Sequence, residues 1–108
     1  MFFTSKYAVF FDSSCPLWSK DRESNEKLLR EIETYYNELF KARGYVFLRD
    51  IYEKLGVGVT KESIVVGWHR RSSLIEEKPI QFRLHTTGKK DPHIIVDFNV
   101  VSEITKYF

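Results

Sequence analysis

Seven residues, Leu28, Leu29, Ile32, Tyr35, Tyr36, Leu39 and Phe40, recur at the spacing that places them on one stripe of an α-helix. Such a stripe has to be covered, so it predicts a pleated layer for the helix to dock against. Charged residues occupy the other faces, with Glu23–Lys27 and Glu26–Arg30 as i,i+4 pairs in the favourable orientation. Ser19, Asp21 or Ser24 supplies the N-cap, and Gly44 suits the left-handed position after the last turn.

The covering layer is read from the other periodicities. Residues 6–12 favour a strand, being aromatic and β-branched, and Pro16 then ends regular pairing. Leu17 and Trp18 plug the core or staple the coming helix. After Gly44, Tyr45-Val46-Phe47 forms a short extended link. Leu48, Ile51, Tyr52 and Leu55 then define a second, shorter amphipathic helix closed by Gly56. Thr60 can cap one turn through Ser63. Residues 64–69 make the next strand. Residues 80–85 and 94–100 alternate cleanly, with Ile80, Phe82, Leu84, Ile94, Val96, Phe98 and Val100 inward. Turn chemistry at 76–79 and 87–92 predicts two successive antiparallel hairpins, and 102–108 suits a final helical turn. The fold class is α+β: one long and one short helix packed on a three- to four-stranded antiparallel sheet. The 108 residues hold no linker or repeat and read as a single domain, residues 1–108.

Gly44-Tyr45-Val46, the spacing Leu48-x-x-x-Tyr52-x-x-Leu55-Gly56, Thr60, Val66-Gly67-Trp68 and Val96-Asp97-Phe98 carry a resemblance. Over residues 24–100 the chain resembles a small domain family of unknown function found in phages and mobile elements of Gram-positive bacteria. The excursion between Trp68 and Ile94 is longer than that pattern, and the N-terminal strand has no counterpart in it. No catalytic residues are assigned there, so the resemblance implies a fold and a genomic setting rather than an activity.

The hydrophobic fraction of 43% favours a packed core over disorder, and 17 basic against 15 acidic residues do not by themselves announce a nucleic-acid binder. Cys15 is the sole cysteine, so no internal disulfide can form and a reducing cytoplasm is the expected location. The apolar run from Tyr7 to Phe11 is too short for a secretory or membrane segment, so no membrane is expected as a partner.

Candidate sites follow from parity and charge. His69, His85 and His93 share the outward parity, with Asp97 nearby, and three imidazoles with a carboxylate suit zinc. No short His-x-His spacing supports that, so no metal or cofactor is expected. Gly56-Val57-Gly58-Val59 lacks both the GxGxxG spacing and a Gly-Lys-Ser/Thr ending, which excludes a phosphate loop. Cys15 has no marked base beside it in the sequence, and no enzymatic activity is expected. Arg70, Arg71, Arg83, Lys89 and Lys90 make residues 69–93 basic. With the two helices they sketch a winged-helix-like nucleic-acid binder, the Thr86–His93 tip serving as the wing. Phe2, Phe3, Phe11, Trp18, Tyr107 and Phe108 cluster toward the ends of a chain rich in aromatics. They are the candidate contacts for a protein partner or self-association, with edge pairing by residues 6–12 as a second route. The alternative is that both ends simply fold back onto the domain.

Overall fold

The computed structural model describes residues 5–71, 79–87, 93–100 and 102–108. Along the chain run β1 (Val9–Phe11), α1 (Arg22–Arg43), β2 (Tyr45–Phe47), α2 (Leu48–Leu55), a 3-10 turn (Glu62–Ile64), β3 (Val66–His69), β4 (Phe82–Thr87), β5 (His93–Phe98), β6 (Ser102–Glu103) and a closing 3-10 turn (Thr105–Tyr107).

The long helix starts where Asp21 accepts a hydrogen bond from the Glu23 N–H, while the Ser24 hydroxyl donates to the other carboxylate oxygen at 2.6 Å. It ends at Gly44, whose φ of 84° is left-handed and whose N–H donates to the Phe40 carbonyl at 2.7 Å. A β-carbon there would lie 2.3 Å from the Arg70 guanidinium, so glycine also makes room for that arginine.

The buried face of α1 is narrower than the apolar stripe and is partly polar. Leu29, Ile32 and Tyr36 are buried, and Leu28, Leu39 and Phe40 are half-buried against the core. Tyr35 is 58% exposed, with its ring edge-on to Tyr36. The remaining buried positions hold Asn25, Glu33 and Asn37, and all three grip main chain. Asn25 bonds the N–H and C=O of Ser19, both at 2.8 Å. Glu33 accepts from the Phe82 N–H at 2.7 Å, and Asn37 bonds both the N–H and the C=O of Ile80. Arg30 is drawn to Glu33 at 3.1 Å and to the Phe82 carbonyl at 2.9 Å. The expected Glu26–Arg30 pair therefore gives way to Arg22–Glu26, at 3.9 Å.

The short helix matches its reading. Leu48, Ile51, Tyr52 and Leu55 are buried, and Gly56 closes it at φ 78°. The Tyr52 hydroxyl donates to the Tyr7 carbonyl, tying α2 to the N-terminal segment. Burial pushes the Tyr52 pKa up to about 12, helped by nearby Tyr7, Asp97 and Glu62.

The α+β class stands, with one long and one short helix against antiparallel strands, but the strands divide into two three-stranded sheets. One runs β1-β5-β4 and the other β2-β3-β6. The β4–β5 hairpin forms as read, in the register Leu84↔Val96. The expected hairpin between 64–69 and 80–85 does not form. The link Tyr45–Phe47 is itself a strand, and it takes β3 as its partner across α2, pairing Val46 with Trp68. Residues 102–103 add β6 to the far side of β3, where a helical turn was expected to begin. Phe11, Phe82, Ile94, Val96 and Phe98 close the first sheet onto one continuous core with Val46, Val66 and Trp68 of the second.

Asp97, read as outward, is buried at 3% exposure because the N-terminal segment crosses over it. Burial raises its pKa. The Ser5 hydroxyl and N–H, the Phe98 N–H and Arg83 outweigh that and hold it below the usual 3.8.

Candidate interaction face

Strand alternation decides which side chains of the second sheet meet the core. Val46 and Trp68 are opposed and inward, and the Trp68 indole N–H donates to Asn99 Oδ1 at 3.0 Å. Tyr45, Phe47 and His69 therefore share the opposite face, together with the bare backbone of Gly67 opposite Phe47. The closing turn lays Tyr107 and Phe108 on that face. His69 stacks under Tyr107, with centroids 4.7 Å apart, and meets Phe108 edge-on at 5.3 Å. Phe108 is edge-on to Tyr45 at 4.8 Å and stacks on Phe47 at 5.7 Å. Beneath these rings His69 is buried, whereas Phe108 remains 66% exposed.

Cations border the rings. Arg43 lies 4.5 Å over Tyr45, Arg49 5.4 Å over Phe47 and Lys106 5.3 Å over Tyr107. Arg70 rests on Gly44 and donates to the Arg43 carbonyl at 3.1 Å. Asp50 pairs with Arg43 at 3.1 Å and with Arg49 at 3.9 Å. Arg70, Arg71 and Lys106 make no ion pair among the described residues. The face is thus aromatic at its centre and electropositive at its rim.

This setting disfavours the charged form of His69. The Arg71 N–H donates to its Nδ1 at 3.1 Å. Burial, followed by the charges of Arg71 and Arg70, moves its pKa below the ordinary 6.5. The unfolded chain takes up this proton near 6.5 while the folded one still resists it. The stabilisation is therefore complete above the unfolded value and is lost as pH falls through the lowered one. Thermal melts taken from about pH 8 down to about pH 5 should decline across that window, and His69→Gln should flatten this part of the decline. An unchanged profile in the variant would rule out His69 as its source.

The structure brings together four residues that the sequence assigned to two different sites. Arg70 and Arg71 were nucleic-acid candidates, Tyr107 and Phe108 partner candidates, and all four border or form this one face. Others are placed elsewhere. Phe11 is fully buried and edge-on to the half-buried Trp18 at 5.4 Å, so it packs as core and offers no contact surface. Arg83 lies on the other sheet opposite Asp97, apart from Arg70 and Arg71. Phe2, Phe3, Lys89 and Lys90 lie outside the described residues.

After α2 the chain makes the one 3-10 turn Glu62–Ile64 before β3, so among the described residues α2 itself would have to serve as the recognition helix, and residues 88–92 of the expected Thr86–His93 wing lie outside the described residues. The histidines do not converge, since His69 belongs to the second sheet and His85 and His93 to the first. Among the described residues no group of three or more His, Cys, Asp or Glu is placed to hold a metal ion. Cys15 is buried, its thiol 3.9 Å from the Phe10 carbonyl. Among the described residues no helix is long and apolar enough to cross a membrane.

Missing from the sequence reading were Arg43, Tyr45, Phe47, Arg49 and Lys106. A signal for two of them was present: in an extended segment, Tyr45 and Phe47 must face away from Val46. Compared with known proteins, residues 2–108 match the model of a family described as a "Family of unknown function (DUF6353)". No curated protein and no solved structure matches the chain.

Proposed function

The chain belongs to this family of unknown function, and we propose that it is a cytoplasmic interaction module, an accessory protein of a phage or mobile element, that binds an acidic surface of another protein. The contact face is the one formed by β2, β3 and the closing turn. The observation that carries the reading is the Phe108 ring, 66% exposed yet held on Tyr45, Phe47 and His69 inside a rim of cations. A fixed, open ring contributes most when a partner seals it from water, and surrounding cations steer an acidic surface onto it. The module carries no reaction of its own.

Single-stranded nucleic acid is the second reading, because rings among cations also suit stacked bases and phosphates. Protein is preferred because Tyr45, Phe47 and Tyr107 are each half-buried, leaving Phe108 as the exposed ring of the cluster.

The test uses Phe108→Ala combined with Lys106→Glu. With a partner purified from the source organism on the wild-type chain, the double variant should bind about a hundredfold more weakly. Its melting temperature should move by only a few degrees, since both side chains lie at the surface. Equal binding by the variant would remove the proposal. Tight binding to a single-stranded oligonucleotide, weakening steeply with salt, would reassign the face to nucleic acid.

A further inference from the structure

Among the described residues, the outer edge of β4 offers hydrogen bonds that nothing takes. Phe82 N–H and C=O point away from β5, toward Glu33 and Arg30. Antiparallel pairing alternates, so in the register Phe82↔Phe98 and Leu84↔Val96 the main-chain groups of Leu84 and Thr86 point the same way. Glu33 and Arg30 close the edge at Phe82. Beyond it, no described residue bonds the N–H or C=O of Leu84 or Thr86 on this side. A trough follows this stretch. Its larger and more open part, of about 410 Å³, lies between Glu23, Glu26, Lys27 and Arg30 of α1 and Leu84 and Thr86 of β4. An adjoining part of about 290 Å³ shares Arg30 and Leu84 and reaches Arg83.

We propose that this edge is a second binding site, which takes an extended acidic segment of another protein as an added antiparallel strand. Main-chain bonds to Leu84 and Thr86 supply the pairing, and alternate side chains enter the trough beneath α1. Charge selects the occupant. Arg83 faces outward beside the site; its charge acts on the carboxylate opposite it, Asp97, which Ser5 and Phe98 bond, but it forms no ion pair among the described residues. A carboxylate at the outward position of the added strand would meet Arg83. A second copy of this chain fits less well. With Leu84 opposite Thr86 of the other copy, Arg83 would face Thr87 and no acid.

The test is amide exchange by NMR on the full chain, titrated with a peptide alternating valine and glutamate and with its valine–lysine counterpart. The glutamate peptide should slow exchange of the Leu84 and Thr86 amides about tenfold or more at saturation, and the lysine peptide should bind at least about tenfold more weakly. Thr86→Pro, which removes an outward N–H at an edge where proline is tolerated, should weaken binding about tenfold. Arg83→Glu should invert the preference between the peptides, and it serves if the proline variant does not fold. Phe108→Ala should leave this binding unchanged, which separates the site from the aromatic face. Unslowed amides, equal binding of both peptides, or slowing that grows with protein concentration alone would each overturn the proposal, the last in favour of self-pairing.

Discussion

Gly67→Ala is expected to destabilise the protein by about 3 kcal/mol or more, at the upper end of what overpacking a core costs. A β-carbon at Gly67 would lie 2.1 Å from the Val46 carbonyl oxygen, 2.9 Å from Phe47 Cα and 3.1 Å from Val46 C. All three are main-chain atoms of the paired strand β2, so no side chain can swing aside to relieve the clash. The strands must part or slip. Either movement strains the Val46↔Trp68 pair in the core and the floor on which Phe47 and Phe108 lie. Urea denaturation measures the loss, and Gly58→Ala is the control, because nothing lies within 4 Å of a β-carbon there. That variant should be neutral or gain a few tenths of a kcal/mol from the reduced freedom of the unfolded chain, at most about 1. A Gly67→Ala midpoint equal to the wild type would mean the two strands are not this close.

The contrast between the two glycines bears on how much of the molecule could be read from its sequence. Each follows a valine, and although Gly67 falls in the expected strand 64–69 and Gly58 does not, nothing local says how closely another strand approaches. The demand on Gly67 comes from a strand 20 residues earlier in the chain (Phe47↔Gly67). Features with local causes were legible. Helix α1 and its Asp21 and Gly44 ends, α2 with Gly56, and the alternation of β5 all follow from period and capping within a few residues. The division into two sheets was not, because Tyr45–Phe47 is three residues between two helices and gains its strand character from β3. The same holds for the candidate face. Its rings come from β2, β3 and the closing turn, and its cations also from α1 and α2, so sequence order splits what the pairing joins. Hydrophobic periodicity also made the helix stripe too apolar. It included Tyr35, whose ring lies mostly in water, and passed over Asn25, Glu33 and Asn37, whose partners are main-chain groups.

Those polar positions lead to the second large effect, at Asn37. Ile80 is fully buried, yet both its main-chain groups find a partner in one side chain: its N–H donates to Asn37 Oδ1 at 3.0 Å and its carbonyl accepts from Nδ2 at 2.9 Å. Truncation to alanine leaves two buried main-chain groups unpaired, at about 1–3 kcal/mol each, so Asn37→Ala is expected to cost about 3 kcal/mol. Asn37→Leu separates this cause from simple loss of packing. Leucine restores volume but offers no donor or acceptor, so it should destabilise about as much as alanine. If lost contacts were the cause, leucine would recover most of the stability. Asn99 cannot take over, since its amide is already committed to Pro79, Gln81 and Trp68. Loss of the Asn37 clamp should also loosen the entry to β4 while leaving α2 intact. Hydrogen exchange is therefore expected to rise first at Ile80 and Phe82 and to stay low at Ile51 and Tyr52. Uniform acceleration across both regions would instead mean that the variant opens the whole core.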